Sequence, residues 1–212
     1  MNAPPVPVIH VVDDDAAFLR SLLFLLEGCG FEAVGHESAE AFLGAAPVLA
    51  PQGGCLLLDI RMPRMSGLEL QRRMVAAGSP FPIVFMTGHG DIEQAVQAMK
   101  GGALDFLQKP FKEQALLNTV NCAVEASLER LRLRLLREEA QTVLERLSPR
   151  EREVARLLAL GLSNKEVARD LDISDHTVHV HRQRITEKIG SGHAADLARV
   201  LLRADPAGLD SG

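Results

Sequence analysis

Three short runs, Val8-Ile9-His10-Val11-Val12, Cys55-Leu56-Leu57-Leu58 and Ile83-Val84-Phe85-Met86, are too continuously apolar for strands that leave one side in water. A strand buried on both faces needs helices above and below it. Stretches of helical period stand between the runs, at about Ala16–Glu27, Ser38–Ala45, Ser66–Ala77, Asp91–Met99 and from Glu113 onward, the third opened by a capping-box pair, Ser66 with Glu69 three residues later. Two weaker runs, Ala33-Val34-Gly35 and Phe106-Leu107, bring the strand count to five. The order predicts an α/β domain with a doubly wound, five-stranded parallel sheet. Such sheets carry their functional groups just beyond the carboxyl ends of the strands.

Polar residues stand at those ends. Asp13 and Asp14 follow the first run, Asp59 the third and Thr87 the fourth, while Lys109, before Pro110, closes the fifth. Taken singly, Asp13 to Asp15 reads as a helix-capping run and Lys109-Pro110 as a turn. Brought together by the topology, three carboxylates repel one another unless a divalent cation joins them, and an all-oxygen donor set suits magnesium. With the charge screened, Asp59 can attack a phosphoryl donor as a nucleophile. Lys109 then supplies charge and hydrogen bonds to the phosphoryl oxygens, and the Thr87 hydroxyl can turn to bond one of them.

From about Leu116 the helical pattern runs on through Leu128 and Glu139 with neither Gly nor Pro before Pro149. Leu128, Leu131, Leu135 and Thr142 follow a three-four spacing. It fits either a short coiled-coil seam between two chains or an amphipathic helix packed on its own domain. Ser148-Pro149-Arg150-Glu151 combines a cap, a first-turn proline and a glutamate three residues on, which marks a new helix and a domain boundary. Four helices are expected beyond it, at about Pro149–Leu160, Asn164–Leu171, Asp175–Ile189 and His193–Arg203, with Ser163 and Ser174 as further caps. Leu171-Asp172-Ile173-Ser174 is the tight connection of a helix-turn-helix, whose second helix enters the major groove of DNA. The expected organisation is a domain over 1–122, a helical linker over 123–147, a DNA-binding domain over 148–206 and a disordered tail over 207–212.

Charge supports that division. The chain of 212 residues carries a net charge of −5, but residues 1–125 hold 8 Lys+Arg against 14 Asp+Glu while residues 148–212 hold 10 of each. A neutral C-terminal half can present one basic face to nucleic acid. No apolar run is long enough to insert in a membrane, and Met1-Asn2-Ala3-Pro4-Pro5 does not open like a signal peptide, so a cytoplasmic location is expected. Cys29, Cys55 and Cys122, odd in number and set in apolar patterns, read as small buried side chains. His181 falls on the apolar stripe of the recognition helix with Val178, Ile185 and Ile189, and reads as a packing residue rather than as part of a metal site with His176 and His179.

Val11-Val12-Asp13-Asp14-Asp15, Leu58-Asp59-Ile60-Arg61-Met62-Pro63-Arg64-Met65-Ser66-Gly67, Met86-Thr87-Gly88-His89-Gly90-Asp91 and Asp105-Phe106-Leu107-Gln108-Lys109-Pro110-Phe111 resemble the receiver domains of response regulators, a flavodoxin-like fold. The resemblance implies magnesium held by Asp13, Asp14, Asp59 and the backbone carbonyl of Arg61. It also implies phosphorylation of Asp59 by a sensor histidine kinase and a switch formed by Thr87 and Phe106. Gly161-Leu162-Ser163-Asn164-Lys165-Glu166-Val167-Ala168 and Ile173-Ser174-Asp175-His176-Thr177-Val178-His179-Val180-His181-Arg182 resemble LuxR/NarL-type DNA-binding domains. By that likeness His179, Val180 and Gln183 approach base edges, and Lys165, Thr177, Arg182, Arg184 and Lys188 contact phosphates. Together the two halves resemble the NarL/FixJ class of transcription regulators, which implies a homodimer formed on phosphorylation, bound to double-stranded promoter DNA, with no substrate turnover of its own. Two rival readings are a DNA-binding protein with a degenerate receiver and a haloacid-dehalogenase-type enzyme. The intact Asp13, Asp14, Asp59, Thr87 and Lys109 set disfavours the first. Arg61, where that enzyme class needs a second aspartate, disfavours the other.

Overall fold

The structure, a computed structural model, describes residues 6–49, 53–79, 81–88 and 92–206. The expected tail over 207–212, and His89, Gly90 and Asp91 of the fourth strand-end motif, lie outside the described residues. The chain divides into two compact units, Met1–Leu131 and Arg132–Gly212.

In the first unit, β1 (Val8–Val12), β2 (Glu32–His36), β3 (Gly54–Asp59), β4 (Ile83–Thr87) and β5 (Asp105–Gln108) form one sheet in the order β2-β1-β3-β4-β5, every pair parallel. Alternation along β3 sorts the two layers, since successive strand residues point to opposite faces. Leu56 and Leu58 join Phe42, Leu70 and Met74, from α2 (Ala39–Leu49) and α3 (Gly67–Ala76), in one core. Cys55 and Leu57 join Leu19, Leu22, Leu26, Leu116 and Val120, from α1 (Ala16–Gly28) and α5 (Glu113–Glu145), in the other. α4 (Ile92–Lys100) packs beside α3, where the buried Gln71 amide donates to the Ala98 carbonyl at 2.8 Å.

Several expectations need correcting. Only Cys55 is buried, and burial pushes its thiol up to about 12. Cys29 is exposed at the end of α1, and Cys122 on the outer side of α5, away from Val120 and Ala123. Ser66 caps α3 through Glu69 N–H, but the Glu69 carboxylate turns to Arg72 and Arg73, leaving half a capping box. α5 is a single 33-residue helix. Leu128 and Leu135 on its expected seam are exposed, whereas Leu144 and Leu147 join the second unit's core.

That unit holds α6 (Pro149–Ala159), α7 (Asn164–Asp170), α8 (Asp175–Ile189) and α9 (Ala194–Ala204) around Val154, Leu158, Val167, Val178, Ile185 and Leu197. Ser148 with Glu151 and Ser163 with Glu166 form complete capping boxes. Between α7 and α8 the chain turns at Asp172, in the left-handed region at φ 51°, a conformation Asp tolerates better than most residues. Arg150 Nη2 donates to the Leu171 carbonyl at 2.6 Å and closes the end of α7.

Candidate functional site

The carboxyl ends of β1, β3 and β5 converge on one pocket. Lys109 Nζ donates to Asp13 Oδ2 at 2.6 Å and to Asp59 Oδ1 at 2.7 Å. Phe18 lies under the ammonium, 4.1 Å from ring centre to Nζ, and packs edge-on against Phe111. The second Asp59 oxygen accepts from Arg61 N–H at 2.7 Å, and Asp13 Oδ1 accepts from Asp15 N–H. Gly67 is required here: its N–H donates to the Ile60 carbonyl, and a Cβ on it would lie 2.2 Å from the Asp59 carbonyl oxygen. Thr87 is buried, its hydroxyl donating to the Leu107 carbonyl at 3.4 Å. The Lys109-Pro110 peptide is cis. Phe106 is 45% exposed on the edge strand β5.

The three-carboxylate cluster expected from the sequence is not assembled. Asp13 and Asp59 face each other across the Lys109 ammonium, which offsets one of their two charges, while Asp14 is exposed at the rim. Among the described residues no three Asp, Glu, His or Cys side chains are grouped closely enough to hold a metal ion. Magnesium nevertheless takes one or two carboxylates and fills the remaining positions with water. The hard-oxygen pair Asp13 and Asp59 meets that requirement. Burial raises the Asp59 carboxyl above its ordinary value, against the opposing pull of Lys109. Burial also acts to lower Lys109, but the bonds and charges of Asp13 and Asp59 prevail and raise it.

On α8 the buried side is Val178 and Ile185, with Ile189 and His181 half-buried beside them. His179, Gln183 and Arg184 are exposed, and so is Lys165 on α7. Val180 is half-buried, and the half-buried Thr177 shares a 2.8 Å hydroxyl contact with the cap Ser174. Two of the expected phosphate contacts are engaged within the fold. Arg182 bonds the Asn164 side chain and the Gly192 carbonyl, both at 3.1 Å, so it joins α8 to α7 and to the turn before α9. Lys188 Nζ lies 2.6 Å from Glu151, itself 3% exposed and bonded to Ser148 N–H. Burial would raise the Glu151 carboxyl, but Lys188 and Ser148 hold it below its ordinary value. The sequence reading missed Glu187, exposed on the same face as Gln183 and bonded to it.

A half-buried aspartate at the end of a central strand, clamped by a lysine, and a helix-turn-helix on the same chain are the parts of a phosphorylation-controlled DNA-binding regulator. Comparison with known proteins agrees. Residues 9–121 match the response regulator receiver domain, and residues 145–201 match the bacterial regulatory proteins of the luxR family. The transcriptional regulatory protein FixJ of Bradyrhizobium diazoefficiens is 43% identical over 196 residues, covering 92% of this chain and 95% of that one. The response regulator protein TmoT of Ectopseudomonas mendocina is 42% identical, covering 92% and 88%. Among solved structures, the response regulator StyR superposes with a TM-score of 0.80 at 41% identity, covering 92% and 98%. Full-length FixJ from B. japonicum gives 0.59 at 42%, covering 94% and 98%. The chain belongs to the NarL/FixJ class of two-component response regulators: it is a transcription regulator activated by phosphorylation, with a histidine kinase as its partner and DNA as its target. Receiver domains of this kind generally bind magnesium at the phosphorylation site.

Proposed function

We propose that Asp59 accepts the phosphoryl group, and that Asp13, Asp14, Asp59 and the Arg61 carbonyl hold magnesium beside it. The observation that carries this reading is the Lys109 ammonium lodged between Asp13 and Asp59. The bound cation supplies charge neutralisation for a carboxylate meeting a phosphate. Asp59 Oδ attacks phosphorus, the bond to the donor's leaving group breaks, and Lys109 bonds a phosphoryl oxygen. Thr87 then leaves the Leu107 carbonyl to bond another oxygen, and Phe106 turns inward beside it. A cleft of about 240 Å³ lined by Ala95, Val96, Met99, Lys100 and Phe106 leaves apolar surface on α4 and β5. That surface supports a homodimer formed on phosphorylation, which fits two half-sites of promoter DNA.

On the DNA side His179, Val180 and Gln183 read base edges, Lys165, Thr177 and Arg184 contact phosphates, and Arg182 and Lys188 act by placing α8. The protein works in the cytoplasm and turns over no separate substrate. Incubated with acetyl phosphate and magnesium, the wild type gains one phosphoryl group by intact-mass spectrometry and Asp59→Asn gains none. Equal labelling of both variants would place the acceptor elsewhere.

A further inference from the structure

Glu187 shares one exposed face of α8 with His176, His179 and Gln183, opposite Val178 and Ile185. A carboxylate on a helix face that meets DNA approaches phosphate oxygens and weakens binding to every sequence. Its partner here is Gln183, whose Nε2 donates to Glu187 Oε1 at 3.3 Å. The reverse amide orientation would set two acceptors against each other, because an ionised carboxylate only accepts. The bond therefore keeps one amide hydrogen on Glu187 and leaves Oε1 and the second hydrogen to face outward. An amide oxygen beside an N–H is the complement of the adenine edge in the major groove, which offers an N6 donor beside an N7 acceptor.

We propose that Glu187 is a specificity-determining positioning residue: it holds the Gln183 amide in the orientation that pairs with adenine, sharpening selection at one base pair while lowering affinity for DNA in general. This rests on Gln183 reading a base. The N–H···O bond runs along one helix face at the i, i+4 spacing, so it forms without any rearrangement of the domain.

The full-length protein, phosphorylated with acetyl phosphate, is used to select sites from a random duplex library. Affinities are then measured for the selected site, for its variants at each base pair, and for an unrelated duplex. Gln183→Ala loses adenine preference at one position on the order of tenfold. Glu187→Ala loses most of that same preference yet binds the unrelated duplex more tightly. Glu187→Gln, whose amide can donate as well as accept, no longer enforces one orientation of Gln183, so it loses much of the preference and shares the tighter general binding. The double variant loses no more selectivity than Gln183→Ala alone. Unchanged preference in Glu187→Ala, or a uniform weakening on every duplex, overturns the proposal while leaving base reading by Gln183 in place. If Gln183→Ala itself alters no preference, that reading falls and the role of Glu187 falls with it.

Discussion

Replacing Lys188 by Met separates two roles that a lysine on a recognition helix can have. Methionine keeps much of the aliphatic stem and removes the ammonium, which lies 2.6 Å from a Glu151 oxygen in a pair whose side chains are 37% and 4% exposed. Breaking a fully buried ion pair costs about 3–5 kcal/mol, and an exposed one contributes less than about 1. Here the lysine is partly in water, and Ser148 N–H stays on the Glu151 carboxylate at 2.8 Å. The expected loss is therefore about 1–2 kcal/mol. In a domain of this size that lowers the melting midpoint by roughly 5–15 °C. Calorimetry of the full chain reads the shift in the transition of the DNA-binding unit. DNA affinity, measured between about 50 and 200 mM salt well below that midpoint, should keep its logarithmic salt slope, because each lost phosphate contact reduces the slope by about 0.9. An unchanged midpoint with a slope smaller by about 0.9 would refute the structural role and make Lys188 a phosphate contact.

Two further outcomes are expected. His10 is fully buried among Phe42, Phe81 and His36, and burial followed by the charge of His36 lowers it to about 4. Its folded pKa lies below the unfolded value, so below about pH 6.5 the unfolded chain binds a proton that the folded chain refuses. Stability falls as pH drops from about 6.5 to about 4, by up to about 3 kcal/mol, and the loss then levels off. In urea titrations at pH 7 and pH 4.5, His10→Leu should show a smaller pH dependence than wild type, and equal dependence would exclude His10 as its source. Gly67→Ala must move the Asp59 carbonyl or the start of α3, given the 2.2 Å approach. It should reduce acetyl-phosphate labelling at least tenfold, and wild-type labelling would show that the loop yields freely.

Much of the fold is legible because parallel strands buried on both sides write themselves as unbroken apolar runs, and the capping serines mark helix starts locally. Asp59, Lys109 and Thr87 are legible for the same reason: strand ends are where a doubly wound sheet keeps its chemistry. What the sequence conceals is the choice among partners. Nothing local shows that Glu69 prefers Arg72 and Arg73 to its cap, that Lys188 reaches 37 residues back to Glu151, or that Lys109 bridges Asp13 and Asp59. Exposure of Cys29 and Cys122 is likewise a matter of helix phase, which an apolar neighbourhood does not reveal. Glu187 is hidden because an acid on a recognition helix reads as ordinary solvated surface until its bond to Gln183 is seen.

The strand order has a consequence for biosynthesis. β1, the first strand of the sheet in chain order, is completely buried and lies between β2 and β3. β2 can cover one edge early, but the other edge waits for Gly54–Asp59 to emerge, and the sheet is complete only after β5. During that interval the nascent chain exposes an apolar strand with unpaired backbone groups, the kind of edge on which chains associate wrongly. The second unit bears no such delay. Three of its helices, α6, α7 and α8, open on capping serines, and its described elements are all helices, whose backbone groups pair within each element as it forms.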